Sequence, residues 1–336
     1  MPTVHIIYHA IDLDGKCSGA IAYHAAKTLF SGFNRVLRGL DYGWPFDEFS
    51  TIYPGDAVIM LDFALYEPGD KFVRMHRISD IVGPGNFIWI DHHKTSIAEA
   101  SSGKFIVDNC VPGHARGITQ EAYKSACALA WEFFHDTRMP EFIELLSAWD
   151  CWIWKTLFPA DQEKVQNLQY GLNSVTNYPD FEVWDSLLNE PILADSYIER
   201  GAIIREYLDL QDRQNLPKLA FGTRLDGHPA IAINRRCSSE SFRHLLSDQV
   251  APLLISFIRE HSAWRVTLYR GPTGQDIDVS AIATQHGGGG HPGAGGFQCQ
   301  ELPFPLAWAH PWTHGHEQVG TGLPQLRTPI PSGVAR

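Results

Sequence analysis

Asp91, His92 and His93 follow directly on the apolar run Phe87-Ile88-Trp89-Ile90, which reads as a short buried strand. One carboxylate and two imidazoles at a strand end are donors suited to Mn, Fe, Zn or Ni. The plain alternative is a surface loop that happens to contain Asp-His-His. Three other places set acids or histidines beside apolar runs: His9 with Asp12 and Asp14, then Asp62, then Asp150. Five aspartates and three histidines are enough for two metal ions. Converging carboxylates repel one another and need a cation between them. Two ions about 3.5–4 Å apart can activate a water and stabilise charge on a phosphoryl oxygen.

The elements that must position these residues are legible from periodicity. Residues 4–8, 35–40, 57–61 and 87–90 read as strands, the third ending at Asp62 and the fourth at Asp91. Residues 17–30 read as a helix whose small apolar face, Ala20, Ile21, Ala25 and Leu29, lies close on a sheet. A second helix is expected around 68–78, and others over 119–134 and 140–154, with Asp150 late in the last. Strands alternating with helices imply an α/β fold with a doubly wound, mostly parallel sheet. The carboxyl ends of its strands would then bring the acids together from distant parts of the sequence.

A long amphipathic helix over 193–210, expected to break at Asn215-Leu216-Pro217, reads as a connector to a second, smaller α/β domain. In that domain, strands are expected over 229–234 and 263–270 and a helix over 242–250. It closes on His286-Gly287-Gly288-Gly289-Gly290-His291. The expected division is 1–190 for the metal-binding domain, 191–217 for the connector, 218–300 for the second domain and 301–336 for an irregular tail.

Composition narrows the function. The chain of 336 residues is 44% hydrophobic and 19% charged, as expected of a globular protein with a sizeable core. No apolar stretch is long enough to span a membrane, and no secretory pattern opens the sequence. The six cysteines form no CxxC pair, which argues against a zinc ribbon or a disulfide framework and for reduced thiols in the cytoplasm. The net charge of −11, from 27 basic and 38 acidic residues, disfavours a long nucleic acid as partner and favours a small phosphorylated substrate.

Asp12-Leu13-Asp14-Gly15, Asp62, Asp91-His92-His93 and Asp150, in that order, resemble the motif series of the DHH phosphoesterase superfamily. That superfamily includes single-strand exonucleases, nano-RNases, cyclic-dinucleotide phosphodiesterases, pyrophosphatases and polyphosphatases. The closing glycine-histidine run, with Asp278-Val279-Ser280 before it, is similar to the signature of the DHH-associated C-terminal domain. The resemblance covers about residues 3–299. It implies two divalent ions, Mn²⁺ by family habit, with Asp12 on one, Asp14 on the other and Asp62 bridging them. His92 and Asp150 would complete the second site. His93 would face the scissile phosphate, and Asp91 would orient a histidine rather than bind metal. Many members place a histidine four residues before the first aspartate. The spacing here is three, so either His9 is a ligand with adjusted geometry or water takes its place.

The resemblance also implies that the second domain holds the non-reacting end of the substrate across a cleft. Gly288, Gly289 and Gly290 would cradle an anion through their backbone N–H groups, His291 would add a donor and Arg270 would meet a phosphate. A flexible turn and an exposed strand charge are the plain readings of these same residues. Arg235, Arg236 and His286 are weaker candidates. Trp131, Phe133, Phe134, Trp149, Trp152 and Trp154 read as core packing, with base stacking as the sharper alternative. His310, His314 and His316 read as solvated. The expected activity is metal-dependent hydrolysis of nano-RNA, linear dinucleotides or related phosphonucleotides by a metal-activated water. A pyrophosphatase or exopolyphosphatase, or a non-catalytic nucleotide sensor, are the other readings. A homodimer is compatible with the sequence.

Overall fold

The computed structural model describes residues 1–41, 44–65, 72–93, 96, 109–112, 124–245 and 251–306, with the backbone alone at 84, 109–112 and 291. The chain divides into two compact units, Met1–Tyr207 and Leu208–Arg336, each with its own sheet.

In the first unit β1 (Thr3–His9), β2 (Asn34–Leu40), β3 (Ala57–Leu61), β4 (Phe87–Asp91) and β5 (Asn109–Pro112) form a sheet in the order β2-β1-β3-β4-β5. Every pairing is parallel. Parallel strands are joined by crossovers that cover both faces, so their sequences read as continuous apolar runs. β3 and β4 are buried along their whole length. Among the described residues the helices of this unit include α1 (Leu13–Leu29), α2 (Val73–Val82), α3 (Ala126–Phe134), α4 (Glu141–Asp150), α5 (Pro159–Asn173) and α6 (Glu182–Asn189). Alternate strand residues feed two cores. Val4, Ile6, Tyr8, Ile59, Leu61 and Ile90 pack with α1 and α3–α6 on one face. Ile7, Val58, Met60 and Trp89 pack with α2 on the other.

α1 starts at Leu13, four residues before the expected residue 17, because Asp12 caps it. The Gly15 N–H donates to Asp12 Oδ1 at 2.9 Å, satisfying a donor that a helix start leaves open. Glycines set how close this helix lies to β1. A Cβ at Gly15 would fall 2.1 Å from the His9 carbonyl oxygen, and one at Gly19 3.0 Å from the Tyr8 ring.

The other helix boundaries also shift. The helix expected at 68–78 is Val73–Val82, and the one expected from 119 begins at Ala126; residues 68–71 and 119–123 lie outside the described residues. α4 stops at Asp150, and a 3₁₀ turn, Ile153–Thr156, follows. The long helix does not stop at Asn215-Leu216-Pro217. It runs on as α7 (Ala194–Leu219) with Pro217 inside its last turn. A proline there loses its own N–H bond and crowds the carbonyl four residues back, but only two residues of helix follow it, and the neighbouring Leu216 is anchored in the core of the second unit. No described helix is long and apolar enough to cross a membrane.

The second unit carries β6 (Ala220–Leu225), β7 (His228–Ile233), β8 (Leu253–Glu260), β9 (Ala263–Arg270), β10 (Gly289–His291) and β11 (Ala294–Cys299) in the order β10-β11-β9-β8-β7-β6. Only β7 and β8 pair in parallel. α8 (Val279–Gln285) places Val279, Ile282 and Ala283 in the core that also holds Leu253, Ile255 and Phe257. Asp226-Gly227, at φ 49° and 84°, turns the β6–β7 hairpin, the left-handed pair that a two-residue turn of this kind requires. The helix expected at 242–250 is instead a 3₁₀ turn, Ser239–Leu245, with Phe242 buried beside Leu216 and Ile233; residues 246–250 lie outside the described residues.

Candidate metal centre

The expected acids and histidines of the first unit arrive at one edge of its sheet. His9 ends β1, Asp62 follows β3 and Asp91 ends β4. The crossover from β1 to β2 runs one way and the next strand, β3, lies on the other side of β1. The carboxyl edge between β1 and β3 is therefore a topological switch point, where open α/β sheets place ligands. Asp12 and Asp14 come from the start of α1, and Asp150 from the end of α4.

Asp62 sits at the middle of the group. Its Oδ2 is 3.5 Å from His9 Nδ1 and its Oδ1 is 3.3 Å from His92 Nε2. Each oxygen thus faces a different histidine. Asp12 Oδ2 lies 2.9 Å from His9 Nδ1, and Asp150 Oδ2 lies 3.1 Å from His92 Nε2. Two groups result, His9 with Asp12 and His92 with Asp150, and Asp62 belongs to both. The backbone of Asp62 is held in the left-handed region, φ 55°, while its N–H donates to Ile90 O at 2.9 Å. Trp89 fixes the next residue, its indole N–H donating to Phe63 O at 3.0 Å. Phe63 in turn stacks on His9 at 6.2 Å between ring centroids.

Asp91 is spent on orientation. Its Oδ1 accepts from the His92 N–H at 2.7 Å, the His93 N–H at 3.0 Å and His93 Nδ1 at 2.7 Å. Asp14 is held differently from Asp12. Its Oδ1 accepts from the Ser125 hydroxyl at 2.6 Å and the Cys127 N–H at 2.9 Å, and its Oδ2 from the Ala126 N–H at 2.9 Å. The two N–H groups are open amides at the start of α3, where negative charge is favoured. Asp14 Oδ2 also reaches within 3.8 Å of His92 Nε2, which leaves it at the edge of the second group.

The electrostatics are those of crowded carboxylates. Burial, then Asp62 and Asp150, push the Asp14 carboxyl up to about 8. Burial opposes charge on His9, but Asp12 and Asp62 outweigh it and raise the imidazole to about 11. The same contest, won by Asp91 and Asp62, raises His93 to about 9. For His92, burial is outweighed by Asp150 and Asp62, so it too stands well above the ordinary range. Protons on the imidazoles thus occupy the role that a cation would take. The residues fit a divalent metal on a further ground. Asp62 Oδ1, on a side chain that is 1% exposed, makes no well-formed hydrogen bond among the described residues. The ligand atoms of His9, Asp12 and Asp62 lie within 4.8 Å of one another, as do those of Asp62, His92 and His93, and those of His92, Asp150 and Cys151.

No family model matches the sequence. A curated relative, uncharacterized protein R106 of Acanthamoeba polyphaga mimivirus, is 27% identical over 248 residues, 71% of this chain and 52% of that one. The chain therefore spans about half the length of the curated relative it matches. Among solved structures, the DHH domain of a member of a ribosomal-protein family aligns with a TM-score of 0.52 at 14% identity, covering 88% of this chain and 82% of that one. The chain shares the fold of that DHH domain. A pGpG-specific phosphodiesterase, PggH from Vibrio cholerae, aligns with a TM-score of 0.48 at 10% identity, over 88% of this chain and 92% of that one.

Within this DHH fold three supporting residues escaped the sequence reading. Asp41 Oδ1 lies 3.3 Å from His9 Nε2, on the far side of the ring from Asp12, where a carboxylate orients a ligating imidazole. Ser125 holds Asp14, as above. Cys151 Sγ lies 4.0 Å from His92 Nδ1. Only Cys151 carried a signal in the sequence, its adjacency to Asp150; the other two are far from every motif.

The expected substrate residues of the second unit are arranged as follows. Gly289 and Gly290 belong to β10, paired antiparallel with β11. A Cβ at Gly288 would fall 2.0 Å from Gly296 O, and one at Gly290 2.4 Å from the Gly295 Cα. Close hairpin packing thus accounts for these two glycines. His291 is described by its backbone alone. Arg270 ends β9 with its side chain exposed, and its N–H donates to Gly293 O at 3.0 Å. Arg235 is ion-paired to Asp212 at 2.6 Å. His286 bonds Asp226 at 2.8 Å and stacks on Phe297 at 4.6 Å, while Arg236 is exposed. His310, His314 and His316 lie outside the described residues.

Proposed function

We propose that the protein is a divalent-metal-dependent phosphoesterase that hydrolyses short nucleotide substrates, nano-RNA or linear dinucleotides among them. The observation that carries this reading is Asp62, whose two oxygens face two separate His/Asp groups. His9, Asp12 and Asp62 would hold one ion, and Asp62, His92 and Asp150 the other, with Asp14 at its margin. The nitrogen and oxygen donors suit Mn²⁺ as well as other divalent ions. Two such ions, when bound, supply a water nucleophile at neutral pH and neutralise charge on phosphoryl oxygens.

The protein's own residues would do the rest. Asp91 holds His93 through Nδ1 and leaves Nε2 for the substrate. Asp91 and Asp62 also keep that imidazole protonated near neutrality, at about 9, so it can donate to a phosphoryl oxygen as charge builds there. Arg270 and the Gly288–Gly290 segment with His291 are the proposed phosphate- or sugar-binding residues of the second unit. The acidic balance, −11 overall, supports a short substrate over a polymer. A cytoplasmic setting accords with the free cysteines among the described residues.

The test is product formation with Mn²⁺ on a 5′-phosphorylated dinucleotide, a 24-nucleotide strand, a cyclic dinucleotide, 3′-phosphoadenosine 5′-phosphate and polyphosphate. The dinucleotide should be cut preferentially, and Asp62→Ala should cost at least ~100-fold, the scale of a single electrostatic group in an active site. Preference for polyphosphate would replace this reading with an inorganic phosphatase. Metal binding without turnover of any substrate would replace it with a sensor.

A further inference from the structure

Two of the aromatic residues in and after helices α3 and α4 stay out of the core, Phe133 on the surface of α3 and Trp152 in the turn after α4. Trp131 is buried, with its indole N–H on Thr137 O at 3.1 Å and its ring stacked on His135 at 4.1 Å. Trp149 and Trp154 stack on each other at 5.2 Å and 15°. Trp152 lies between those two in the sequence, yet it remains 37% exposed. Its backbone is at φ 61°, ψ 8°, a region that a bulky side chain rarely enters. Backbone outliers of this kind persist where the surroundings enforce them, and they gather at ligand clamps and active sites.

The surroundings here are those of the metal centre. Trp152 follows Asp150 and Cys151, both in contact with His92. The strained turn therefore starts from a side chain that would hold metal and presents the next aromatic outward. Lys155 Nζ lies 4.8 Å from the Trp152 ring centroid and 5.4 Å from that of Trp154. An exposed indole with a cation against it offers both a π-face and a positive charge, the pair of features by which proteins take up single-stranded nucleotides.

We propose that Trp152 is a nucleobase-stacking platform, which places the base of the nucleotide whose phosphate is cut and makes the site select nucleotides over base-free phosphates. This rests on the phosphoesterase reading for its location, but binding alone tests it. The platform explains why a large apolar ring is kept in a strained, exposed position beside the metal ligands, and polyphosphate would gain nothing from it.

The experiment measures affinity, in Mn²⁺, for a 5′-phosphorylated dinucleotide with a non-hydrolysable methylenephosphonate link and for its abasic counterpart. Wild-type protein should bind the dinucleotide more tightly than the abasic form. Trp152→Ala should weaken dinucleotide binding about 10-fold or more, within the range of single stacking contacts, and leave abasic binding within about twofold. Trp152→Phe should restore most of the loss. Trp152→Gly relaxes the backbone, so it should melt no lower than wild type and still lose base binding. Equal affinity of wild type for the two ligands, equal losses on both in Trp152→Ala, or no loss at all would overturn the platform. Base-dependent binding without cleavage of the natural dinucleotide would instead overturn the hydrolase reading and leave the platform standing.

Discussion

At the scale of single residues, Asp62 and Asp91 are both buried carboxylates at strand ends, yet they face different tasks, and substitution should separate them. Asp62→Asn keeps the shape but removes the charge that both His/Asp groups share. Metal content by mass spectrometry should fall from two ions to one or none. Asp91→Asn should retain metal, because Asp91 bonds the His93 ring and backbone amides rather than facing the shared group. Its turnover should drop by about 10–100-fold, as loss of an orienting partner does. Protonation gives a second residue-scale prediction. His9 is raised from 6.5 to about 11 and His93 from 6.5 to about 9. A folded-state pKa above the unfolded one contributes stability that is complete below about 6.5 and disappears as pH climbs through the folded value. Chelator-treated protein should therefore melt progressively lower between pH 6.5 and about 10. Asp14, raised from 3.8 to about 8, contributes a loss of the same sign that begins at lower pH and is complete by about pH 8. Metal competes for these protons, so Mn²⁺ should restore the melting temperature most at high pH and release protons when it binds. Differential scanning fluorimetry across pH, with and without Mn²⁺, and calorimetry in buffers of different ionisation heat would check both.

At the scale of elements, the site depends on how closely α1 approaches β1. Gly15→Ala would put a methyl group 2.1 Å from the His9 carbonyl oxygen, so helix and strand must part. A cost of about 1–3 kcal/mol is the usual range for overpacking. Because His9 and Asp12 flank the contact, metal affinity should fall along with the melting temperature; a fall in stability with metal affinity unchanged would show that the two groups move together. The same comparison shows why some elements were legible and others not. β3 and β4 announce themselves as unbroken apolar runs, and the motif aspartates at their ends mark the sheet edge. β5, Asn-Cys-Val-Pro, is too short and mixed to stand out. β10 is built largely of glycine, which carries no strand signal, and only its partner β11 makes it a strand. Pro217 reads locally as a stop, while Leu216 packs into the second unit's core and carries the helix past it. Periodicity cannot register such tertiary anchoring. Asp41 and Ser125 were invisible for the same reason, since they reach the site through the fold and not through any motif.

At the scale of the whole molecule, net charge is the property that bears on the proposed choice of a short substrate. With 38 acidic against 27 basic residues, the protein lacks the excess of cations that makes binding of long nucleic acid steep in salt. In competition experiments at low salt, a 24-nucleotide strand should displace a labelled dinucleotide no better than unlabelled dinucleotide does. Raising the salt should change the dinucleotide affinity only modestly. A strand that competes more than about 10-fold better, with a steep salt slope, would mean that a local basic track outweighs the overall balance.

The left-handed backbone at Asp62, φ 55°, has a genetic consequence. Among side chains other than glycine, aspartate and asparagine tolerate that conformation best, so most replacements there would disturb the strand end as well as the chemistry. Asparagine would not, and it lies one base change away in either aspartate codon. The fold thus leaves a single mutational step from the proposed metal centre to a well-folded variant without its shared charge, the step by which a duplicated copy could become a pure binder.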